Sequence, residues 1–228
     1  MRRRAAVRGR PVLVRKAAVE GVGTALLLAA VVGSGIMAER LAGGNGAVAL
    51  LANSIATGGA LLALISAFGP LSGAHFNPLV TLALAGRGTF KRREASAYAT
   101  AQAIGAIVGT VAANLMFDHG AIEFSTRDRS GAGQLLGELV ATFGLLSIVL
   151  ACGPRLAAAA VAGYITAAYW FTSSTSFANP AVTLARSLTD SFAGIRPADA
   201  PLFIAAQAGG ALLSFAFIRW VSPVPEAA

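Results

Sequence analysis

Cysteine and histidine are almost missing from this chain of 228 residues. A single cysteine, Cys152, excludes an internal disulfide and a thiolate metal cluster. Two histidines, His75 and His119, leave no metal-binding or catalytic constellation, so neither a metal, a cofactor nor an enzymatic activity is expected. Charge is scarce as well: 12% of residues are charged and 56% are hydrophobic, which places the chain in the membrane class rather than among soluble domains. Acidic groups are the scarcest, 10 against 18 basic ones, for a net charge of +8. A basic surplus of that size can serve nucleic acid, but its placement here does not suit that role.

What the chain does contain is long apolar runs. Six segments, roughly 17–38, 47–68, 95–116, 132–151, 156–173 and 201–221, approach or exceed the roughly 17 residues that a bilayer crossing needs. They are rich in Ala and Gly, which let helices approach closely where lipid supplies no hydrophobic drive. With both termini cytoplasmic, five basic residues (Arg40, Arg127, Arg129, Arg186, Arg196) fall outside and the other 13 inside, the positive-inside bias. The basic start followed by an apolar run also looks like a signal peptide, but the run is too long for one and Glu20 interrupts it.

One short pattern occurs twice, 102 residues apart. The first copy runs Ser72-Gly73-Ala74-His75-Phe76-Asn77-Pro78-Leu79-Val80-Thr81, the second Ser176-Phe177-Ala178-Asn179-Pro180-Ala181-Val182-Thr183. Asn suits a helix cap and Pro the first turn. The apolar run after each is about ten residues, too short to cross about 30 Å of hydrocarbon. The repetition continues: Glu20 and Thr24 match Glu138 and Thr142, and an Ala-Gln-x-x-Gly-Ala pattern around Gln102 returns around Gln207. Each half therefore holds three spans and one short helix. Three is odd, so the second half sits upside down, and the two short helices meet near the midplane. The expected organisation is a basic cytoplasmic N-terminus (1–16), a first repeat (17–116, half-helix 77–86), an external loop (117–131), a second repeat (132–221, half-helix 179–190) and a cytoplasmic C-terminus (222–228).

On these motifs the chain resembles the major intrinsic protein family, the aquaporins and aquaglyceroporins, over essentially all of its length outside the basic N-terminus. The resemblance implies an all-α membrane protein of six transmembrane helices plus two re-entrant half-helices, an inverted 3+3 repeat. It also implies a homotetramer in the lipid bilayer of the cell inner (plasma) membrane, each subunit with its own pore for small neutral solutes. Asn77-Pro78-Leu79 and Asn179-Pro180-Ala181 would form the pore motif, with Asn77 and Asn179 capping the half-helices and offering amide donors to a passing oxygen. Paired helix N-termini place roughly half a positive charge each at the midplane, which repels cations. Glu20 and Glu138 would brace the half-helix loops through backbone N–H groups, and His75 would brace its loop beside Asn77. Gln102 and Gln207 look like helix-packing residues.

Departures from the family pattern bear on the solute. Val182 stands where the family usually carries the filter Arg, directly after the second motif. Counting from the two Asn-Pro steps puts the remaining filter positions at Thr57, Ala167 and Ser176. All four are small, so a wide, weakly polar opening is expected. Leu79 replaces Ala and either narrows the midplane or packs into the bundle. Arg186, one turn beyond Val182, either supplies positive charge to the outer vestibule or pairs with Asp190 as an anchor. The run Asn179–Asp190 resembles that of bacterial channels associated with arsenic detoxification, which implies glycerol-like polyols, metalloid hydroxy acids such as arsenite, and water as solutes. A general water and glycerol channel, a secondary transporter and a structural membrane protein are the alternatives.

Overall fold

The computed structural model describes the backbone of residues 2–88 and 91–222 and the side chains of 12–88, 91 and 94–222. The side chains of the arginines at 2, 3, 4, 8, 10, 92 and 93, whose charges enter the positive-inside reading, and the whole tail from 223 onward thus lie outside what is described. All regular structure there is helical: α1 (Arg2–Leu41), α2 (Gly46–Ser72), α3 (Pro78–Gly86), α4 (Arg92–Met116), α5 (Ala132–Ala151), α6 (Pro154–Phe171), α7 (Pro180–Arg186) and α8 (Ala200–Val221).

Five helices carry stretches long and apolar enough to cross a membrane: Val12–Leu41, Gly46–Ser72, Glu94–Met116, Ala132–Ala151 and Ala200–Val221. Helix α6, of 18 residues, is the shortest of the six long helices and opens on the polar pair Pro154-Arg155. At 1.5 Å per residue it still reaches about 27 Å. Starts and stops follow local chemistry. Asn45 caps α2 by accepting from the N–H groups of Ala47 and Val48, and Gly73 ends it in the left-handed region at φ 101°. Helices α3 and α7 begin on Pro78 and Pro180 behind the caps Asn77 and Asn179. Helix α7 ends at Arg186, four residues short of the expected half-helix, because the chain turns at Ser187 and Leu188.

Helix contacts respect the exchange of the two halves. Helix α1 packs on α2 and α4 as α5 packs on α6 and α8; α3 lies on α4 as α7 lies on α8; α2 meets α6 across the divide. Close seams lie at the glycines of the repeated Gln-x-x-Gly pattern. A Cβ on Gly105 would overlap the carbonyl of Gly21 in α1, and one on Gly210 would overlap the carbonyl of Leu139 in α5. These two glycines let backbones touch in both halves.

Candidate functional site

The two loops ahead of the half-helices have matched backbone. Ala74 and Phe76 in one, and Ser176 and Ala178 in the other, all take positive φ, between 48° and 51°. Such φ costs a non-glycine residue about 1–2 kcal/mol and persists only where neighbours enforce it. The enforcement comes from two carboxylates that are wholly buried. Glu20 accepts from the N–H groups of His75 (3.0 Å) and Phe76 (2.8 Å), from the Ser72 hydroxyl (2.6 Å) and from the Gln102 amide (2.8 Å). Glu138 accepts from the N–H groups of Phe177 (2.8 Å) and Ala178 (2.9 Å) and from the Gln207 amide (2.6 Å). A charge at this depth is tolerable only when hydrogen-bonded in this way. Gln102 and Gln207 are therefore more than packing residues. Each also reaches a half-helix threonine, Thr81 at 3.1 Å and Thr183 at 2.8 Å.

At the junction of the loops, the Asn77 amide donates to the Ala178 carbonyl and the Asn179 amide to the Phe76 carbonyl, both at 2.8 Å. Each asparagine oxygen meanwhile caps its own half-helix, accepting from Leu79 N–H in one case and from Ala181 and Val182 N–H in the other. The two asparagines thus bolt the half-helices end to end. His75 donates or accepts at the Thr81 hydroxyl, 3.0 Å away, and packs against the Tyr98 ring.

A cavity of about 130 Å³ runs past this junction. Its wall includes Thr57, His75, Asn77, Ser176, Asn179, Val182 and Arg186. Leu79 is half-buried and is not part of that wall; Val80 and Leu84 face the cavity from α3 instead. Apolar side chains such as Leu61, Val161 and Ile165 also line it.

One filter position differs from expectation. Ala167 is exposed on the outer surface of the bundle and does not face the cavity. Tyr169 does, and its hydroxyl lies 3.1 Å from the Thr57 hydroxyl. Two residues along a helix turn the side chain by about 200°, so a count carried backward over the irregular loop 172–179 loses the helical phase. The phase was readable within α6: Ala157, Val161, Ile165 and Tyr169, four apart, form the cavity stripe, and Ala167 lies off it. The cavity wall therefore includes one large aromatic, Tyr169, beside the three small residues Thr57, Ser176 and Val182. Ser176 is 3% exposed, and its hydroxyl has no partner within the protein.

Arg186 also departs from one of its two expected readings. Asp190 accepts from Thr126, at 2.9 Å from its N–H and 3.1 Å from its hydroxyl, and forms no pair with Arg186. The early end of α7 carries Asp190 off the face of Arg186. The Arg186 guanidinium donates to the Ala193 carbonyl and stacks 3.4 Å from the Phe177 ring centroid. Among the described residues no group of three or more His, Cys, Asp or Glu side chains is arranged to hold a metal ion.

The profile described as Major intrinsic protein matches residues 9–156. The chain is 53% identical to "Aquaglyceroporin AqpS" of Rhizobium meliloti (strain 1021) over 213 residues, 92% of this chain and 91% of that one. It is 35% identical to "Aquaporin NIP1-4" of Oryza sativa subsp. japonica over 157 residues, 64% of this chain and 58% of that one. In fold it matches the X-ray structure of the aquaglyceroporin from Plasmodium falciparum with a TM-score of 0.74 at 22% identity, over 92% of this chain and 98% of that one. Matched helical halves, braced Asn-Pro loops and a cavity at their junction thus coincide with these likenesses, and the chain belongs to the major intrinsic protein family, a multi-pass membrane channel of the aquaglyceroporin type.

Proposed function

We propose that the chain is a passive channel for neutral solutes larger than water: glycerol-like polyols and uncharged metalloid hydroxy acids such as arsenite, with water passing as well. The observation that carries this reading is the outer wall of the cavity. Val182 leaves position 182 without a guanidinium, with Arg186 elsewhere in the lining, while Thr57, Tyr169 and the unpartnered Ser176 supply hydroxyls on a largely apolar lining. A solute with several hydroxyls on a compact centre exchanges hydrogen bonds there without passing a guanidinium at position 182. Tyr169 takes the filter role first assigned to Ala167, so the opening is less wide than four small residues imply. Glu20, Glu138 and His75 hold the loops, and Asn77 and Asn179 serve as midplane donors. The subunits assemble as homotetramers in the inner (plasma) membrane with both termini cytoplasmic. The charge bias and the family resemblance support that arrangement.

The test is Val182→Arg. A guanidinium at that position narrows the wall and adds charge, so glycerol and arsenite flux into proteoliposomes falls several-fold while the oligomer stays intact on size exclusion. Unchanged solute flux in a well-expressed variant places the constriction elsewhere.

A further inference from the structure

The positive charge absent from position 182 is present nearby, on Arg186 in the cavity wall and on a second arginine behind it. The external loop between α4 and α5 lies over the segment after α7: Glu123 N–H donates to the Leu188 carbonyl and Ser125 N–H to that of Ser187, both at 3.1 Å, and Arg196 N–H donates to the Arg127 carbonyl at 2.8 Å. This strap delivers Arg129 into the protein, where it is 6% exposed. Its guanidinium donates to the carbonyls of Gly194 (2.7 Å), Ser174 (3.1 Å) and Phe192 (3.3 Å) and to the Thr175 hydroxyl (3.3 Å). It also lies 4.8 Å from the centroid of the Phe177 ring, the ring on which Arg186 stacks at 3.4 Å. Phe177 itself faces the cavity. Neither guanidinium has an ion-pair partner among the described residues. Asp199 accepts from the Arg129 backbone N–H, but its carboxylate pairs with Arg196. Glu138 is occupied by the loop N–H groups and Gln207.

We infer that Arg129, from the external loop, and Arg186 together set charge selectivity, holding two unneutralised guanidiniums against Phe177 at the outer end of the cavity. Carbonyls and a ring quadrupole orient such charges without cancelling them. In a low-dielectric setting their field reaches a cation several ångströms away. Cations are rejected by charge gathered around Phe177, Arg186 in the cavity wall and Arg129 behind it, so rejection does not rest on position 182. This rests on the channel reading above and explains how that channel stays ion-tight with Val182 in the filter.

The test compares Arg129→Gln and Arg129→Lys with the parent in proteoliposomes. The diffusion potential across a NaCl gradient reads the ratio of sodium to chloride permeability, and glycerol flux is measured in the same vesicles. The expected result is a rise of roughly tenfold in that ratio for Arg129→Gln. Arg129→Lys stays near the parent value because it keeps the charge. Glycerol flux stays within about twofold in both variants because Arg129 lies off the cavity wall. A leak of sodium and chloride that rises equally, or a Lys variant indistinguishable from Gln, shows a mouth loosened by lost hydrogen bonds and overturns the inference. Should the Arg129 variants not assemble, Arg186→Gln against Arg186→Lys decides by the same shift in ratio. A parent protein that passes no glycerol defeats the channel reading, whichever way the charge comparison falls.

Discussion

At the scale of single residues, function rests on groups that a membrane interior should reject. Glu20 and Glu138 are fully buried carboxylates, yet between them they accept seven hydrogen bonds, four of them from backbone N–H groups of the half-helix loops. Glu20→Ala or Glu138→Ala orphans two such N–H groups at about 1–3 kcal/mol each before relaxation. The expected outcome is a lower detergent melting temperature together with lost flux; a fully stable variant that alters only selectivity would mean that the carboxylate meets solute. Tyr169 and Ala167 separate two accounts of the filter. Tyr169→Phe removes the hydroxyl facing Thr57 and should shift the ratio of glycerol to water permeability. Ala167→Leu, on the outer surface, should leave that ratio unaltered. The reverse pattern in paired osmotic assays would restore the position found by counting. That position was misread because residue spacing fixes a side chain's direction only inside one unbroken helix. The same limit hid Arg129: nothing in the sequence ties a loop arginine to Phe177, since the carbonyls that hold it belong to segments 45 to 65 residues away.

At the scale of elements, much of the architecture was legible. Six apolar runs became six long helices, and each Asn-Pro step became a cap followed by a short helix. Those features are local, carried by hydrophobicity, a capping oxygen and a proline at the first turn. The end of α7 was not legible, because the residues after Arg186 are drawn off by the loop between α4 and α5 through Ser187 and Leu188. The repeated Gln-x-x-Gly pattern was visible as a repeat, while its meaning needed the packing: Gln reaches the carboxylate and Gly admits the neighbouring backbone. Gly105→Ala should therefore destabilise by about 1–3 kcal/mol through overpacking against α1. Gly59→Ala, whose added methyl meets open space within 4 Å, should be neutral or stabilising by up to about 1 kcal/mol through helix propensity. Thermal unfolding of the two variants side by side checks the opposite signs.

At the scale of the whole molecule, inversion of the halves puts two strained loops and two capped half-helices at one level, with a cavity passing between them. Among the described residues, the two fully buried carboxylates within the spans, Glu20 and Glu138, are both committed to loop N–H groups, which leaves neither free to hold a coupling ion. A fixed path of hydroxyls and apolar wall should conduct down a gradient, without saturation and with little temperature dependence, whereas alternating access would saturate and slow steeply on cooling. The central claim is best tested by stopped-flow light scattering of proteoliposomes given water, glycerol and arsenite gradients in turn over a range of temperatures. Glycerol and arsenite equilibration well above that of empty liposomes, linear in concentration and with weak temperature dependence, is the predicted result. Flux that saturates, or that is confined to water, would contradict it.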